Sequence, residues 1–313
     1  MATNNKKNKV SKRNEDVATA VKILAAIAML LILICFVKTC SYCRQYQQNV
    51  VVLNDQTGYL PENEDWDRIP EVVPPYNDED TTNLPSQVSL EPFFPPIGDQ
   101  GKKGTCVAWA VGYNLKTALN ALENHWTANQ LQIPQNQTSP KDLWYGIDDN
   151  VKGPNCSGSV FEAAFVALQT RGAASMAMSD ATNFQNCNGT FIGDSSNRIE
   201  TFGRLASVSV GSVKAYLNDS VPLVCGARVG MRFLSCNSSD VIKNDVSGYS
   251  GPHAFHAMAL VGYNDSLHAF RVRNSWGTAW GDQGSAWVDY DFFKNDFCFV
   301  VFVAKNMQKP TVA

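Results

Sequence analysis

Residues 98–110 read Gly-Asp-Gln-Gly-Lys-Lys-Gly-Thr-Cys-Val-Ala-Trp-Ala, a polar glycine-rich loop that becomes an apolar run at a cysteine. The apolar positions continue to about Leu122 and, on a helix, cover most of its surface. This pattern predicts a central, buried helix with Cys106 in its first turn. The helix dipole and the free N–H groups there favour the thiolate, the reactive form of cysteine. A buried structural cysteine is the alternative on this stretch alone.

Two later stretches contain the polar side chains that a nucleophilic cysteine needs. His256 opens an apolar run that ends in Gly-Tyr at 262–263, which is the pattern of a buried strand. Asn274 follows an alternating strand at 269–273 and begins the sequence Asn-Ser-Trp-Gly. A nucleophile requires a base within hydrogen-bond reach and a third group that orients the base. Cys106, His256 and Asn274 supply these three roles in chain order.

Together these blocks resemble the papain family of cysteine peptidases. Gln100 lies on a loop that can direct its amide at an oxyanion, and its spacing to Cys106 matches that of the family's oxyanion glutamine and nucleophile. His256 and Asn274 begin blocks that match the family's histidine strand and its Asn-Ser-Trp-Gly motif. The resemblance covers residues 84–313. It implies a papain-like α+β fold with a helical lobe that carries the cysteine and a β-rich lobe that carries the histidine and the asparagine.

The resemblance also implies a reaction and the residues that perform it. Cys106 attacks the peptide carbonyl as a thiolate paired with the His256 imidazolium, and an acyl-enzyme intermediate follows. Asn274 holds the imidazole ring, and Gln100 forms the oxyanion hole with the Cys106 N–H. The implied substrate is a polypeptide, and neither a cofactor nor a metal is implied. The implied substrate-binding residues are Gly158, Ser159, Ala257 and Trp276. Trp276 is also expected to shield the contact between His256 and Asn274 from water.

The sequence departs from papain at several positions. Lys103 and Val107 stand where papain-type members have a cysteine and an aromatic residue, and Phe255 stands where papain has an acidic residue. In the turn Cys-Ser-Gly-Ser at 156–159, Ser159 replaces a glycine whose backbone meets the substrate strand in relatives. The form Gly-Thr-Cys-Val-Ala is closer to bacterial and viral members than to lysosomal cathepsins. These differences bear on substrate preference more than on the reaction class.

Two other functions stay open at this level. One is a binding or structural protein that keeps the fold without the chemistry, although such losses usually delete the nucleophile or the histidine, and both are present here. The other is a transferase that uses the same thiol to pass an acyl group to an amine. His253 is an alternative base, but only His256 has the family's offset to Gly-Tyr at 262–263.

The N-terminal part of the chain predicts a membrane anchor. Residues 1–22 are polar and basic, and residues 23–40 contain an uncharged apolar run that predicts a transmembrane helix. The heavier positive charge before this run predicts a cytosolic tail and an extracytoplasmic peptidase domain at 84–313. A cleaved signal peptide is the alternative, although no Ala-x-Ala site follows. Residues 41–83 predict an acidic stalk with an extended or disordered middle, and a short propeptide is the alternative.

The cysteines and sequons agree with an extracytoplasmic domain. Cys40 and Cys43, just after the apolar run, permit a disulfide-linked dimer. Five further cysteines can form disulfides in an oxidising compartment, with the pairing left open: Cys156, Cys187, Cys225, Cys236 and Cys298. The glycosylation sequons begin at Asn136, Asn155, Asn188, Asn218, Asn237 and Asn264. The net charge of −3 gives no footprint for nucleic acid.

The remaining patterns predict helices early in the domain and strands late, which is typical of an α+β chain. Ser159 and Glu162 form a capping-box pattern for an apolar helix that ends near Gly172. A short helix at 212–217 and a strand at 222–229 follow. Further strands are predicted around His256, Phe270, Trp287 and Val300.

Overall fold

The structure is a computed structural model, and it describes four ranges of the chain, 56–73, 83–179, 186–245 and 254–307. The predicted tail at 1–22, the predicted membrane span at 23–40, the pair Cys40 and Cys43, and His253 lie outside these ranges. Within the four ranges, no helix combines the length and the apolar character that crossing a membrane requires.

Helices dominate the first half of the described chain, and strands dominate the second half. The α-helices are α1 Cys106–Ala108, α2 Thr117–Asn124, α3 Ala128–Leu131, α4 Pro140–Gly146, α5 Phe161–Thr170, α6 Met176–Ser179, α7 Val210–Asn218, α8 Met231–Leu234 and α9 Tyr290–Phe292. The strands are β1 Glu71–Val72, β2 Gln87–Ser89, β3 Ile199–Leu205, β4 Leu223–Val229, β5 Val241–Ile242, β6 Ala254–Asn264, β7 Ala269–Arg273, β8 Ser285–Asp289 and β9 Cys298–Asn306. The predicted α+β class is confirmed.

The described strands form one sheet in the order β1-β3-β9-β4-β6-β7-β8-β5, and β2 pairs with β6 outside this path. The strand predicted at 269–273 has those bounds, and those predicted around Trp287 and Val300 are also present. β6 is buried along most of its length because β4 and β7 flank it and helices cover it. Its continuous apolar sequence, rather than an alternating one, is what a strand with both faces covered requires.

The predicted central helix is present and runs from α1 through a wide π-helical stretch, Trp109–Lys116, into α2. Every residue from Cys106 to Ala118 is buried, which confirms the prediction from the apolar run. Buried Arg273 at the end of β7 donates from Nε to Asn114 Oδ1 at 3.2 Å. This contact joins the helix to the strand that leads into Asn274.

Residues 56–73, named here the covering segment, differ from the predicted extended or disordered stalk. They form two three-ten turns and then β1, which pairs in parallel with β3. Tyr59 is 2% exposed and Ile69 is 3% exposed. These buried apolar residues are isolated within an acidic region. The average composition of the region therefore predicted an extended or disordered chain, and this prediction was wrong for residues 56–73.

The predicted capping box at Ser159 and Glu162 is also wrong. α5 begins at Phe161 without a cap from its own flanking side chains, and the Ser159 hydroxyl is buried without a hydrogen-bond partner. The cap comes from Glu64 of the covering segment, whose carboxylate accepts from Phe161 N at 3.0 Å and from Glu162 N at 2.6 Å. The N-terminus of α5 therefore depends on a residue 97 positions away from Phe161. The helix ends before Gly172, as predicted.

One disulfide joins Cys156 to Cys187 in the described part of the chain. Four other cysteines there are free thiols: Cys106, Cys225, Cys236 and Cys298. The disulfide holds the turn before α5, and the carbonyl of Cys156 accepts from Gly104 N at 2.7 Å. The turn is thereby fixed against the loop that precedes the nucleophile candidate.

Candidate active site

The helix and the two neighbouring strands bring three predicted residues to one place. Cys106 is fully buried at the first position of α1. His256 lies near the start of β6, and Asn274 directly follows β7, which pairs antiparallel with β6. The backbone N–H of Ala257 lies close enough to the Cys106 sulfur to lower the pKa of the thiol. The thiol therefore lies against the residue that follows the histidine.

The histidine is oriented by the asparagine. His256 Nε2 lies 2.7 Å from Asn274 Oδ1, which also accepts from the backbone N–H of Ser275 at 2.8 Å. Because an amide oxygen only accepts, Nε2 carries the hydrogen, and Nδ1 is left as the basic nitrogen of the neutral ring. Nδ1 is buried without a hydrogen-bond partner. The Trp276 ring covers the imidazole with its centroid 4.6 Å away.

Gln100 is fixed at the same cleft by the Asn-Ser-Trp-Gly block. Its Oε1 accepts from the Ser275 hydroxyl at 2.7 Å, and its backbone N–H donates to Ser275 O at 2.8 Å. The amide is thus turned so that Nε2 faces away from Ser275. Nε2 donates to Lys103 O at 2.6 Å and to Gln56 O at 2.8 Å. The second of these acceptors belongs to the covering segment.

Residues 56–60 of the covering segment pass through the cleft and contact it mainly through their backbone. The carbonyl of Gln56 accepts from Gln100 and from Trp276 Nε1, the latter at 3.2 Å. The backbone N–H of Gly58 lies close enough to the Cys106 sulfur to lower the pKa of the thiol. Gly58 fits because it lacks a side chain, since a Cβ there would lie 2.1 Å from the Gly104 carbonyl oxygen. A peptide therefore already occupies the space above the thiol.

The turn at 156–159 pairs with this peptide through its backbone. Ser159 N donates to Gly58 O at 2.9 Å, and Leu60 N donates to Ser159 O at 3.1 Å. Tyr59 and Ser159 form a parallel bridge, and Tyr59 N donates to Phe255 O at 3.3 Å. Gly158, with φ of +159°, lies directly before this bridge. The predicted substrate-binding residues thus line the cleft that the covering segment fills.

Burial sets the protonation states of this covered site. Loss of water raises the pKa of the Cys106 thiol to about 12, although three backbone N–H groups from neighbouring residues oppose the rise. Loss of water also lowers the pKa of His256 to about 4, against the opposing effect of its bond to Asn274. The pair is a neutral thiol and a neutral imidazole. The helix dipole alone predicts a thiolate, and desolvation outweighs it in this form.

Sequence reasoning missed the residues of the covering segment that contact the site: Gln56, Gly58, Tyr59 and Glu64. The Gly-Tyr-Leu run at 58–60 inside an acidic region is the only sequence signal of a buried contact there. Glu64 is buried and accepts two helix N–H groups, yet nothing in its sequence neighbourhood separates it from the exposed acidic residues beside it.

The model of the papain family of cysteine proteases matches residues 88–299. The chain belongs to the papain family. Among curated proteins it is similar to cysteine endopeptidase Rep1 of Oryza sativa subsp. japonica, with 27% identity over 198 residues, 60% of this chain and 48% of that protein. The chain therefore spans about half the length of this curated relative.

Solved structures show the papain-like α+β fold, with its helical and β-sheet lobes. Xylellain, a cysteine protease from Xylella fastidiosa, is 22% identical with a TM-score of 0.63, covering 81% of this chain and 97% of xylellain. Procathepsin B S9 from Trypanosoma congolense is 17% identical with a TM-score of 0.64, covering 82% of this chain and 89% of that one. A bacterial structure is thus among the relatives of this papain-family chain, beside a cathepsin precursor.

Proposed function

We propose that the chain is a papain-type cysteine endopeptidase and that the form described here is latent, because its own covering segment fills the cleft. One observation carries the proposal. The groups predicted to bind a substrate, Gln100 Nε2 and the backbone of Ser159, hold a peptide directly above the Cys106 thiol. In this reading the covering segment acts as the short propeptide that the sequence left as an alternative to a plain stalk.

Departure of the covering segment readmits water and restores the ordinary chemistry of the pair. The pKa of Cys106 falls, that of His256 rises, and the proton passes from Sγ to Nδ1. The thiolate then attacks the peptide carbonyl and forms a C–S bond. Gln100 Nε2 and the Cys106 N–H stabilise the oxyanion.

His256 then gives its proton to the leaving amine as the C–N bond breaks. It next removes a proton from the water that attacks the acyl-enzyme, and the C–S bond breaks to release the acid. Asn274 keeps Nδ1 directed at the reacting atoms throughout, because its Oδ1 accepts from Nε2. The ring of Trp276 keeps water from that hydrogen bond. Substrate binds as a strand on Gly158 and Ser159, beside Ala257.

The test uses the full chain with Tyr59→Ala, which removes the largest buried side chain of the covering segment. We expect this variant to cleave peptides and to form an adduct on Cys106 with a peptide electrophile, both read by mass spectrometry. Adding Cys106→Ser is expected to abolish cleavage, by a factor of about 10⁴ or more, as removal of a protease nucleophile does. Unchanged cleavage by the folded Cys106→Ser chain would refute the nucleophile assignment.

We further propose that residues 23–40 anchor the chain in a membrane, with residues 1–22 cytosolic and the peptidase domain extracytoplasmic. The charge asymmetry around the apolar run supports this orientation. The Cys156–Cys187 disulfide agrees with an oxidising compartment. Protease protection of intact membranes, with a tag at each end, tests the topology: a C-terminal tag on the cytosolic face contradicts it. Nonreducing gels with Cys40→Ser and Cys43→Ser test the disulfide-linked dimer.

A further inference from the structure

A polar cavity lies apart from the catalytic cleft. It has a volume of about 440 Å³ and opens between α2, residues 135–138, residues 194–198 and the end of β9. The residues that line it are separate from those that form the catalytic cleft. Pockets that bind small molecules have volumes of about 300–1,000 Å³. The cavity is therefore of a size that admits a small-molecule ligand.

One wall of this cavity is a network of amide side chains around a buried lysine. Lys116 is 2% exposed and donates from Nζ to Asn120 Oδ1 at 2.5 Å and to Asn306 Oδ1 at 2.8 Å. Asn120 Nδ2 donates to Asn197 Oδ1 at 2.8 Å, and Asn306 Nδ2 donates to Glu123 Oε2 at 2.8 Å. An amide oxygen has two lone pairs, so those of Asn197 and Asn306 can each accept a second bond. The network fixes the direction of these acceptors.

The lining as a whole fits an uncharged ligand with many hydroxyl groups. Seven of its seventeen residues are asparagine or glutamine, and four are serine or threonine. These side chains both donate and accept hydrogen bonds, and a ligand hydroxyl does the same. The two basic residues, Lys116 and Arg198, are balanced by two acidic ones, Glu123 and Asp194. The cavity therefore gives no overall preference to a charged ligand.

Trp126 supplies an apolar surface beside the amides. It is half-buried in the lining, two residues after α2, and its backbone N–H donates to Ala121 O at 2.9 Å. This bond holds the tryptophan against the last turn of the helix. The indole ring presents a large apolar face, on which the C–H face of a sugar ring can pack while the hydroxyls at its edge reach polar partners. An aromatic ring beside a wall of amides is thus suited to a saccharide.

A sequon provides a second, independent indication of the same ligand class. All three of its residues, Asn136, Gln137 and Thr138, line the cavity. Asn136 is half exposed, and its Nδ2 donates to Gln130 O at 2.9 Å. A glycan linked to Nδ2 leaves one hydrogen on that nitrogen, so this bond is compatible with the modification. The first sugar of such a glycan would lie beside the cavity.

We propose that this cavity is a binding site for a neutral saccharide. The amides of Asn120, Asn197 and Asn306 are its hydrogen-bond partners, and Trp126 is its stacking surface. Two sources have this chemistry, a glycan carried by the chain on Asn136 and a free saccharide. The site is separate from the cleft, so the inference goes beyond the proposed peptidase function and does not depend on it.

The first test uses the full-length chain from a bacterial host that adds no Asn-linked glycans, in phosphatidylcholine nanodiscs so that no sugar detergent competes. The probe is N,N′-diacetylchitobiose, the disaccharide with which an Asn-linked glycan begins, and saturation-transfer NMR measures its binding. We expect saturable binding that Trp126→Leu weakens at least about tenfold, as loss of an aromatic anchor does. Trp287→Leu, which alters a tryptophan that lines a different cavity, is the matched control and should bind like the wild type.

Asn306→Ala tests the amide wall in the same assay, with Asn264→Ala in the other cavity as its control. We expect weaker binding only for Asn306→Ala. Thermal unfolding and the rate of Cys106 alkylation verify that each variant is folded. No saturable binding by the wild type, or an equal loss in a variant and its control, overturns the proposed site. Because alkylation and peptide cleavage depend on the separate cleft, that result leaves the peptidase proposal standing.

The second test distinguishes the two sources with the full-length chain from a eukaryotic secretory host. Mass spectrometry of the peptide that contains Asn136 measures its glycosylation. Probe binding that is blocked in this chain and restored by Asn136→Gln identifies the chain's own glycan as the occupant. Probe binding that is not blocked identifies a free saccharide. If Asn136→Gln from this host also fails to bind the probe, the proposal is overturned.

Discussion

The floor of the cleft and the segment that covers it are held in different ways. The floor consists of Cys106, His256, Asn274 and Gln100. There, side chains are positioned by other side chains: Asn274 orients His256, and Ser275 orients Gln100. The covering segment pairs with the cleft through its backbone, and its buried side chains include Tyr59, Glu64 and Ile69. The geometry of the floor thus depends on particular side chains, whereas the covering segment contacts the cleft mainly through main-chain hydrogen bonds.

The largest expected effect tests the dependence of the floor on side-chain identity. In the Tyr59→Ala chain, His256→Ala should lower kcat by about 10²–10⁴, the usual worth of general acid–base transfer. Asn274→Ala should lower it by a smaller factor, because Asn274 only orients the base. Steady-state kinetics on one peptide measures both. Equal losses, or a larger loss for Asn274→Ala, would show that the asparagine has a different role.

The second effect follows from the buried imidazole of the covered form. The pKa of His256 is lowered from 6.5 to about 4, so the folded chain favours the neutral ring. Its contribution to the free energy of unfolding is complete above pH 6.5 and is lost as the pH falls toward about 4. The full shift corresponds to about 3 kcal/mol.

Urea unfolding of the wild type and of His256→Gln at pH 7 and pH 4.5 isolates this contribution from the other acid-sensitive groups. The wild type should lose about 2–3 kcal/mol more than the variant between the two pH values. Equal losses in the two proteins would mean that water reaches the ring while the covering segment is in position.

A third prediction concerns the close approach of the covering segment to the nucleophile loop. Gly58→Val should push the segment out, because its Cβ would meet the Gly104 backbone and such overpacking typically costs about 1–3 kcal/mol. The expected result is alkylation of Cys106 about tenfold faster or more. Glu62→Val, at an exposed site on the same segment, is the control and should leave the rate unchanged. An unaltered alkylation rate in Gly58→Val would show that the covering segment does not protect the Cys106 thiol.

The smallest effect distinguishes two nearby carboxylates. Glu64→Ala removes the acceptor for the first two N–H groups of α5 and should lower the free energy of unfolding by about 0.5–2 kcal/mol, the usual worth of a helix cap. Glu162→Ala should cost less than about 0.5 kcal/mol, because this side chain makes no cap and its ion pair with Arg68 is long, at 4.0 Å. Denaturant titration compares the two. A larger loss of unfolding free energy for Glu162→Ala than for Glu64→Ala would support the capping box predicted from the sequence.

The sequence allowed prediction of those parts whose residues contact each other through a repeated local pattern. The apolar run after Cys106 predicted a buried helix, and the apolar run at His256 predicted a strand covered on both faces. Both predictions were possible because each pattern lies within one short, continuous stretch of sequence. The resemblance to the papain family predicted that Asn274 and Gln100 lie in the same cleft. Their assigned roles stay predictions until the kinetics are measured.

The covering segment could not be predicted in this way, and the reason is physical. Tyr59 and Glu64 are isolated in an acidic region, and their partners Phe161 and Phe299 lie about 100 and 240 positions along the chain. No local periodicity encodes such contacts. The prediction of a cap for α5 was wrong for the same reason. Ser159 and Glu162 satisfy the sequence rule, but the backbone of Ser159 pairs with the covering segment instead.

Because the covering segment and the cleft belong to one chain, their contact is intramolecular. Only residues 74–82 join the covering segment to the next described range, so a short connection keeps its local concentration in the cleft at roughly the millimolar level. In the latent form proposed above, a cut within residues 74–82 would make the same contacts intermolecular and remove this concentration advantage. The segment would then be free to leave the cleft although none of its contacts there had changed.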